Sequence, residues 1–334
     1  MAKIAAIALI CLTAWPMTAQ TKALVTKSRV VSDVPLNGRR SFALPALCDE
    51  NGNSYVKLVE GRMEGPLLKL SSTGKLQAEF NTEGALTNIY AVRPNGGVAM
   101  VYSDSGFKVG NFDPNGKRES EVKLDRPPIF FFPTQIAVFP SGEILVAGLQ
   151  KGDKASTAIY DSRGHLVKQF PLDGDGAIEK AIEIGDVRYA RAPGQGNHAV
   201  ERSAATTGDD GLVYLMRATS PATVYAISAG GDVIRKIAVG APTDSGLPDF
   251  GIRMVKNKLT VKFSRSCNSA GAFESCEGTI YAVVDATTGK RLADYEAADS
   301  DGPFACYAPD PDRFFTFSMA FSQNRLEVVE AGAK

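Results

Sequence analysis

Few residues in this 334-residue chain are of a type and spacing that could carry chemistry. His198 stands close to Glu201 and Arg202, and a histidine beside a carboxylate and a guanidinium can move protons or hold a polar ligand. The second histidine, His165, lies in a short polar turn and is expected to face solvent. An isolated histidine is more often structural than catalytic, so this group predicts a ligand-binding site and leaves catalysis unassigned.

The stretch "DGDG" places Asp173 and Asp175 two residues apart, and alternating aspartates can ligate Ca²⁺. The remaining positions of a calcium loop are not filled, and Asp-Gly pairs are common in turns, which favours a turn here. No G-x-S-x-G, H-E-x-x-H, C-x-x-C or phosphate-loop motif occurs. We therefore predict no metal and no cofactor.

The first twenty residues have the pattern of a secretory signal peptide. Lys3 precedes an apolar run from Ile4 to about Trp15, and small residues follow before Ala19. We predict that residues 1–20 are removed and that residues 21–334 are exported, to the periplasm or the extracellular space. No second apolar run reaches about 18 residues, so no membrane span is predicted in the mature chain.

Four cysteines remain after this segment, and an even number in an exported chain predicts disulfides. Cys267 and Cys276 bracket a short Gly- and Ser-containing loop, so they form a natural local pair. This pairing leaves Cys48 with Cys306. Buried free thiols are the alternative.

The bulk composition excludes some partners. The chain has 37 basic and 37 acidic residues, and a nucleic-acid or anionic-membrane binder needs a basic excess. The hydrophobic fraction of 44% is enough for a packed core. We expect a globular protein with an unknown protein or a small anionic ligand as its partner.

A short recurring sequence pattern, here called a phrase, predicts the strands that must position these residues. It joins an apolar strand to a charged strand through a polar turn with glycine, which supplies the positive φ that such turns often need. Five copies occur: "LSSTGKLQAEF", "FDPNGKRESEV", "YDSRGHLVKQF", "ISAGGDVIRKI" and "VDATTGKRLADY".

A second phrase, with a polar turn before a buried apolar strand, precedes each copy and occurs a sixth time near the end. Its clearest copies are "CDENGNSYVKL", "VRPNGGVAMVY" and "VFPSGEILVAG". Gly52, Gly97, Gly142 and Gly211 serve as anchors and are spaced by 45, 45 and 69 residues.

The alternation of the two phrases predicts units of four antiparallel strands, which is typical of β-propeller blades. Six first strands but five outer strands leave one blade incomplete. The segment "TKSRVVSDVPL", Thr26 to Leu36, alternates charged and apolar residues as an outer strand does. We predict an all-β, single six-bladed β-propeller of four-stranded antiparallel blades, closed by the N-terminal strand completing the last blade. A β-sandwich or two smaller β domains are the alternatives.

The turns D-x-x-G-K and P-x-G-x-x-x-V-A resemble those of six-bladed propellers of the NHL and TolB-like kind. The resemblance covers essentially the whole mature chain and implies the fold, not the function. In such a ring, Cys48 and Cys306 lie on the inner strands of neighbouring blades with the same side-chain parity. This arrangement makes a disulfide across the closure reasonable.

The ring also indicates where a site would lie. Propellers bind ligands at the channel mouth, at the starts of inner strands and in the loops before them. The long insertion at about 172–203 is expected to border that mouth. Lactonase-like propellers hold a divalent metal there with acidic and amide side chains. The corresponding region here offers Asn88, Gln135 and Glu201, with Arg40, Arg202 and Arg253 nearby. Together with His198, these residues are the predicted ligand-binding candidates at the channel mouth.

Several arginines repel a cation and favour an anion, so the resemblance to lactonases weakens at this site. The amidating-lyase type would need more than two histidines. We therefore predict an exported binding or scaffold module with a ligand or protein docking at the central channel mouth. The alternative is a metal-dependent, lactonase-like hydrolase with carboxylate and amide ligands.

Overall fold

A computed structural model describes residues 21–38, 41–49, 51–59, 65–151, 154–173, 175, 198–265, 276–297, 304–309 and 312–334. The predicted signal peptide, Arg40 and most of the predicted insertion lie outside these residues. Nearly all of the regular structure is β-strand, which confirms the all-β class. None of the described helices is long and apolar enough to cross a membrane.

The chain begins with strand β1, Thr21–Pro35, and then builds four separate four-stranded antiparallel sheets. The first sheet contains β2 (Ser41–Cys48), β3 (Ser54–Val59), β4 (Leu67–Leu70) and β5 (Leu76–Phe80). The second contains β6 (Ala85–Val92), β7 (Val98–Ser103), β8 (Phe107–Phe112) and β9 (Arg118–Lys123). The third contains β10 (Phe131–Val138), β11 (Ile144–Gln150), β12 (Ala155–Tyr160) and β13 (Leu166–Phe170).

A short helix, α1 (His198–Glu201), precedes the fourth sheet. This sheet contains β14 (Ala204–Thr207), β15 (Val213–Arg217), β16 (Ala222–Ile227) and β17 (Val233–Val239). The remaining strands are β18 (Ser245–Val255), β19 (Lys258–Arg265), β20 (Cys276–Asp285), β21 (Arg291–Ala297), β22 (Phe304–Pro309), β23 (Asp312–Ala320) and β24 (Arg325–Ala333). A single 3₁₀ turn, Phe321–Gln323, separates the last two.

The last seven strands and β1 form one eight-stranded sheet in place of two separate predicted blades. Its strand order is β18-β19-β20-β21-β1-β24-β23-β22. β1 pairs antiparallel with β24, and its first three residues also pair in parallel with β21. The predicted N-terminal strand therefore does pair with the last strand of the chain.

The first strands of the units are neighbours in a closed cycle. β2 contacts β6, β6 contacts β10, β10 contacts β14, β14 contacts β18, β18 contacts β22, and β22 contacts β2. The second and third strands behind them are the most buried, and β3, β12 and β15 have every residue buried. Outer strands such as β9 are largely exposed. This gradient matches the apolar and charged phrases of the sequence.

The core lies between the faces of neighbouring sheets. Between the third and fourth sheets, Leu145 and Ile159 pack in one apolar cluster with Leu215 and Tyr225. Between the first and second, Tyr55 and Phe80 share a cluster with Phe112. Full burial of such a side chain stabilises the fold by about 1.5–3 kcal/mol relative to exposure.

The recurring turns share one hydrogen-bond pattern. In the turn at Gly116, Asp113 N–H donates to Lys117 O and Gly116 N–H donates to Asp113 O, and the turn at Gly164 repeats this pattern. Both glycines have positive φ. In the second phrase, the left-handed residue of "VRPNGG" is Gly96, one position before the anchor Gly97. Because Gly96 aligns with Gly52, the first two spacings are 44 and 46 residues.

The turn glycines also pack against the preceding sheet. A Cβ added at Gly116 would lie 2.3 Å from Glu79 O in β5, and one at Gly164 would lie 2.1 Å from Lys123 O in β9. A Cβ at Gly74, in the first sheet, would lie 3.2 Å from Val30 Cγ1 in β1. β1 therefore packs against a turn of the first sheet in the same way that β5 packs against a turn of the second sheet.

Candidate functional site

A cavity of about 540 Å³ lies where the first strands of the units end. Its walls come from the carboxyl ends of β2, β6, β14 and β18 and from the turns that follow them. Pocket volumes of this size suit a small ligand. The predicted site was placed at the opposite ends of these strands, at their starts, where many side chains lie outside the described residues.

Arg253 is the predicted site residue that lines this cavity, and it holds two units together. Its Nη1 donates to Cys48 O at 2.6 Å, and its Nη2 donates to Asp49 O at 2.6 Å. The side chain therefore reaches from β18 to the end of β2. Nη1 also lies 2.6 Å from the Sγ of Cys48, which is disulfide-bonded. The side chains of Cys267, Cys276 and Cys306 lie outside the described residues.

Gln135 serves a different purpose from the one predicted. It is buried in β10, its Nε2 donates to Val200 O at 2.9 Å, and its Oε1 accepts from Thr134 Oγ1 at 2.6 Å. Both ends of the amide therefore make contacts within the protein, and the bond to Val200 O fixes α1 against the first strand of the third sheet. Glu201, on α1, is half-buried. The side chains of Asn88 and His198 lie outside the described residues.

Arg202 belongs to a charge cluster around the buried Lys262 that the sequence did not predict. Its Nε lies 3.8 Å from Asp249 Oδ1, and Asp249 Oδ2 lies 3.5 Å from Lys262 Nζ. Lys262 is only 6% exposed, and burial lowers its pKa, an effect that the carboxylate of Asp249 opposes. The cluster connects the segment after α1 to the wall of the cavity.

A bulge in β18 makes room for this cluster. Pro248 pairs with Phe263 and Ile252 pairs with Val261, so three residues of β18 stand opposite Lys262 alone. Phe250, in the middle of the bulge, has a φ of +49°, an uncommon conformation for a bulky residue. A β-bulge changes the direction in which nearby side chains point, and β-bulges are frequent next to functional sites.

Glycine is required at one position of the bulge. A Cβ added at Gly251 would lie 2.5 Å from Lys262 Cβ and 2.9 Å from its Cδ. The backbone of β18 therefore rests directly on the stem of Lys262. This contact holds the ammonium group close to Asp249.

The described residues that line the cavity carry more positive than negative charge. Four are basic, namely Arg93, Arg253, Lys256 and Lys262, and two are acidic, namely Asp49 and Asp209. The Asp49 carboxylate is occupied by the backbone N–H groups of Asn51 and Asn53 and by the Tyr55 hydroxyl. Asp209 Oδ2 accepts from Lys256 N–H at 2.9 Å. The lining itself favours an anion, although Glu119 beside Arg93 at 2.7 Å and Asp249 beside Lys262 at 3.5 Å offset part of its positive charge.

A metal centre is not formed by the described part of the chain: no group of three or more His, Cys, Asp or Glu side chains there could hold an ion. In the "DGDG" stretch, the Asp175 carboxylate accepts from Arg217 Nε at 3.1 Å and from Leu172 N–H at 3.1 Å. Asp173 pairs instead with Lys236 at 2.7 Å. A guanidinium and an ammonium therefore neutralise the two aspartates.

One signal in the sequence could have revealed Lys262. Strand β19, "KLTVKFSR", has a polar residue at every second position, although the repeat places it among buried second strands. Side chains two apart share a face of a strand, so this pattern indicates a polar face inside the molecule. The bulge that accommodates it has no comparable signature.

Solved structures share this architecture. A calcium-binding protein, regucalcin, from Agrobacterium tumefaciens superposes with a TM-score of 0.52 at 13% identity, covering 95% of this chain and 97% of that one. A gluconolactonase from Xanthomonas campestris gives 0.51 at 14% identity, covering 92% and 98%. The chain is a β-propeller.

At these identities the likeness concerns the propeller fold alone. BamB from Moraxella catarrhalis is a weaker match, with a TM-score of 0.40 at 12% identity, covering 92% of this chain and 99% of that one. No family model and no curated protein matches the propeller. The NHL and TolB-like kind therefore stays a prediction.

Proposed function

We propose that this propeller has six blades, closed by its N-terminal strand. The eight-stranded sheet then counts as two blades, β18 to β21 and β22 to β24 with β1. Two observations support this count: the first strands follow one another in a closed cycle, and Gly74 packs on β1 as Gly116 packs on β5. A closed ring leaves no sheet edge open to other chains.

The proposed activity is binding. We infer that the cavity takes a small anionic ligand and that the propeller works as an exported binding or scaffold module. The observation that carries this inference is the placement of Arg253 and Lys262 on the wall of a cavity with an excess of positive charge. The signal-like residues 1–20 and the disulfide at Cys48 support export to the periplasm or the extracellular space.

Calorimetric titration of the mature chain with citrate and with inorganic phosphate tests this proposal. We expect saturable binding that weakens with added salt. Lys256→Met, an exposed residue at the cavity, should weaken it severalfold, whereas Lys117→Met, an exposed residue on an outer turn, should not. Equal affinities for the two variants, or no binding of either anion, would contradict the proposal.

The alternative, a metal-dependent hydrolase, stays a prediction without a supporting site among the described residues. Elemental analysis of the dialysed protein, with melting temperatures measured with and without chelator, tests it. About one ion per chain and a lower melting temperature with chelator would favour the hydrolase.

A further inference from the structure

The inner end of the cavity contains a buried hydroxyl without a partner. Thr260 is 4% exposed, lines the cavity, and its Oγ1 makes no hydrogen bond. Leaving such a group unsatisfied costs about 1–3 kcal/mol. A buried polar atom that faces a cavity and lacks a partner indicates a position where a ligand atom can bind.

The neighbours of this hydroxyl are cationic. Thr260 and Lys262 are two residues apart on β19 and therefore point to the same face. Arg253 is the residue of β18 that pairs with Thr260, so its side chain lies on that face as well. The Thr260 hydroxyl and the Lys262 ammonium can donate to an oxyanion, and the Arg253 guanidinium, whose Nη atoms donate to Cys48 O and Asp49 O, adds positive charge nearby.

Aromatic rings lie beside these groups: Tyr281 is the β20 residue that pairs with Lys262, and β22 and β23 supply two further rings. Tyr281, Tyr307 and Phe314 line the cavity, and each is at most 3% exposed. Phe314 packs between the two tyrosines, with ring centroids 4.9 Å from each. These rings offer an apolar surface to the body of a ligand whose charged end meets β19.

We propose that the ligand is a small organic acid with a ring or other flat apolar body. Its carboxylate accepts hydrogen bonds from Thr260 Oγ1 and Lys262 Nζ, and its body lies against the three aromatic rings. This proposal rests on the proposed function and names the class of anion.

Benzoate is the probe, with benzamide as the uncharged ring and acetate as the charge without a ring. Calorimetric titration should show that benzoate binds at least about tenfold more tightly than either control. Lys262→Met, which keeps the apolar stem, should weaken benzoate binding about tenfold, and Thr260→Val about fivefold.

Thr260→Val also has a stability readout. Because the hydroxyl has no partner, its removal should leave the melting temperature unchanged or raise it while benzoate binding falls. Thr82→Val is the matched control away from the cavity: its hydroxyl donates to Gly65 O at 2.6 Å, so it should lose stability and keep benzoate affinity.

The outcomes separate this proposal from the more general one. If citrate or phosphate binds but benzoate does not, or if Thr260→Val and Lys262→Met leave benzoate affinity unchanged, the organic-acid proposal is overturned and the anion module stands. If no anion binds, both fail. A loss of affinity in both variants with a folded Thr260→Val supports the organic-acid proposal.

Discussion

The buried charges show how single residues contribute to this protein. Arg217 is fully buried, and its Nε and Nη2 donate to Asp175 and to Thr157 Oγ1. It connects the start of the predicted insertion to the second strand of the fourth sheet. Asp173, two residues from Asp175, is 68% exposed. The same stretch therefore contains one structural and one solvent-facing carboxylate.

This difference gives a paired prediction. Asp175→Ala should lower the free energy of unfolding by about 3–5 kcal/mol, because it leaves the guanidinium of Arg217 buried and uncompensated. Asp173→Ala removes an exposed ion pair and should cost less than about 1 kcal/mol. Urea unfolding of the two variants measures both. Equal losses would mean that the Arg217 pair is not the anchor described.

Lys57 predicts a pH dependence. It is 4% exposed in β3, and burial lowers its pKa from the usual 10.5. Since the folded state holds this proton less tightly than the unfolded state, stability rises with pH from the lowered pKa up to about 10.5. Lys57→Met keeps the stem without the charge, so it should be more stable than the parent at pH 7.

The gain from Lys57→Met should shrink as the pH approaches 10.5, where the unfolded lysine also loses its proton. Unfolding curves of both proteins at pH 7 and at pH 10.5 give the difference directly, and titration of the tyrosines cancels between them. A gain that does not change with pH would show that the methionine acts through packing alone.

At the scale of the elements, the turn glycines have two different roles. Gly116 and Gly52 both have positive φ, but only Gly116 meets a neighbouring carbonyl. Gly52→Ala should cost about 1–2 kcal/mol for the left-handed conformation. Gly116→Ala should cost at least about 2 kcal/mol more, because its Cβ would collide with the backbone of β5.

Urea midpoints of these two alanine variants make the comparison, and Gly164→Ala provides a repeat at the next interface. Similar losses for Gly52→Ala and Gly116→Ala would mean that the sheets move apart easily. In that case the glycine contact would not fix the spacing of neighbouring units.

The repeated turns and strands could be predicted from sequence because they are encoded locally, by glycine, aspartate and apolar alternation. The bulges could not, because no local sequence pattern marks them. β2, β6, β10, β18 and β22 all contain register shifts. Such shifts change which side chains face the channel. Arg253 is among the candidates predicted from sequence, whereas Thr260 and Lys262 are not.

At the scale of the whole molecule, β1 connects the two ends of the chain. It pairs with β24 over most of its length, and Leu76 N–H in β5 donates to Asp33 Oδ1 of β1 at 2.9 Å. The strand therefore contacts both the last unit and the first. Its removal would expose β24 as an open edge.

A truncation tests this closure. A chain that starts at residue 21 should melt cooperatively, whereas one that starts at residue 36 should melt at a much lower temperature and self-associate. A synthetic peptide of residues 21–35 should restore part of the lost stability when added in trans. Unchanged melting of the shorter chain would contradict the proposed closure.

The pairing of β1 with β24 also determines the order in which the strands can pair during synthesis. Ser28 and Glu330, joined by a side-chain hydrogen bond, are 302 residues apart. β1 is therefore synthesised well before β24, and the two strands can pair only after β24 has been made. Contacts this distant form slowly, since the chain between them must first be ordered. Until β24 is made, β1 lacks its main partner strand and can pair with neighbouring chains.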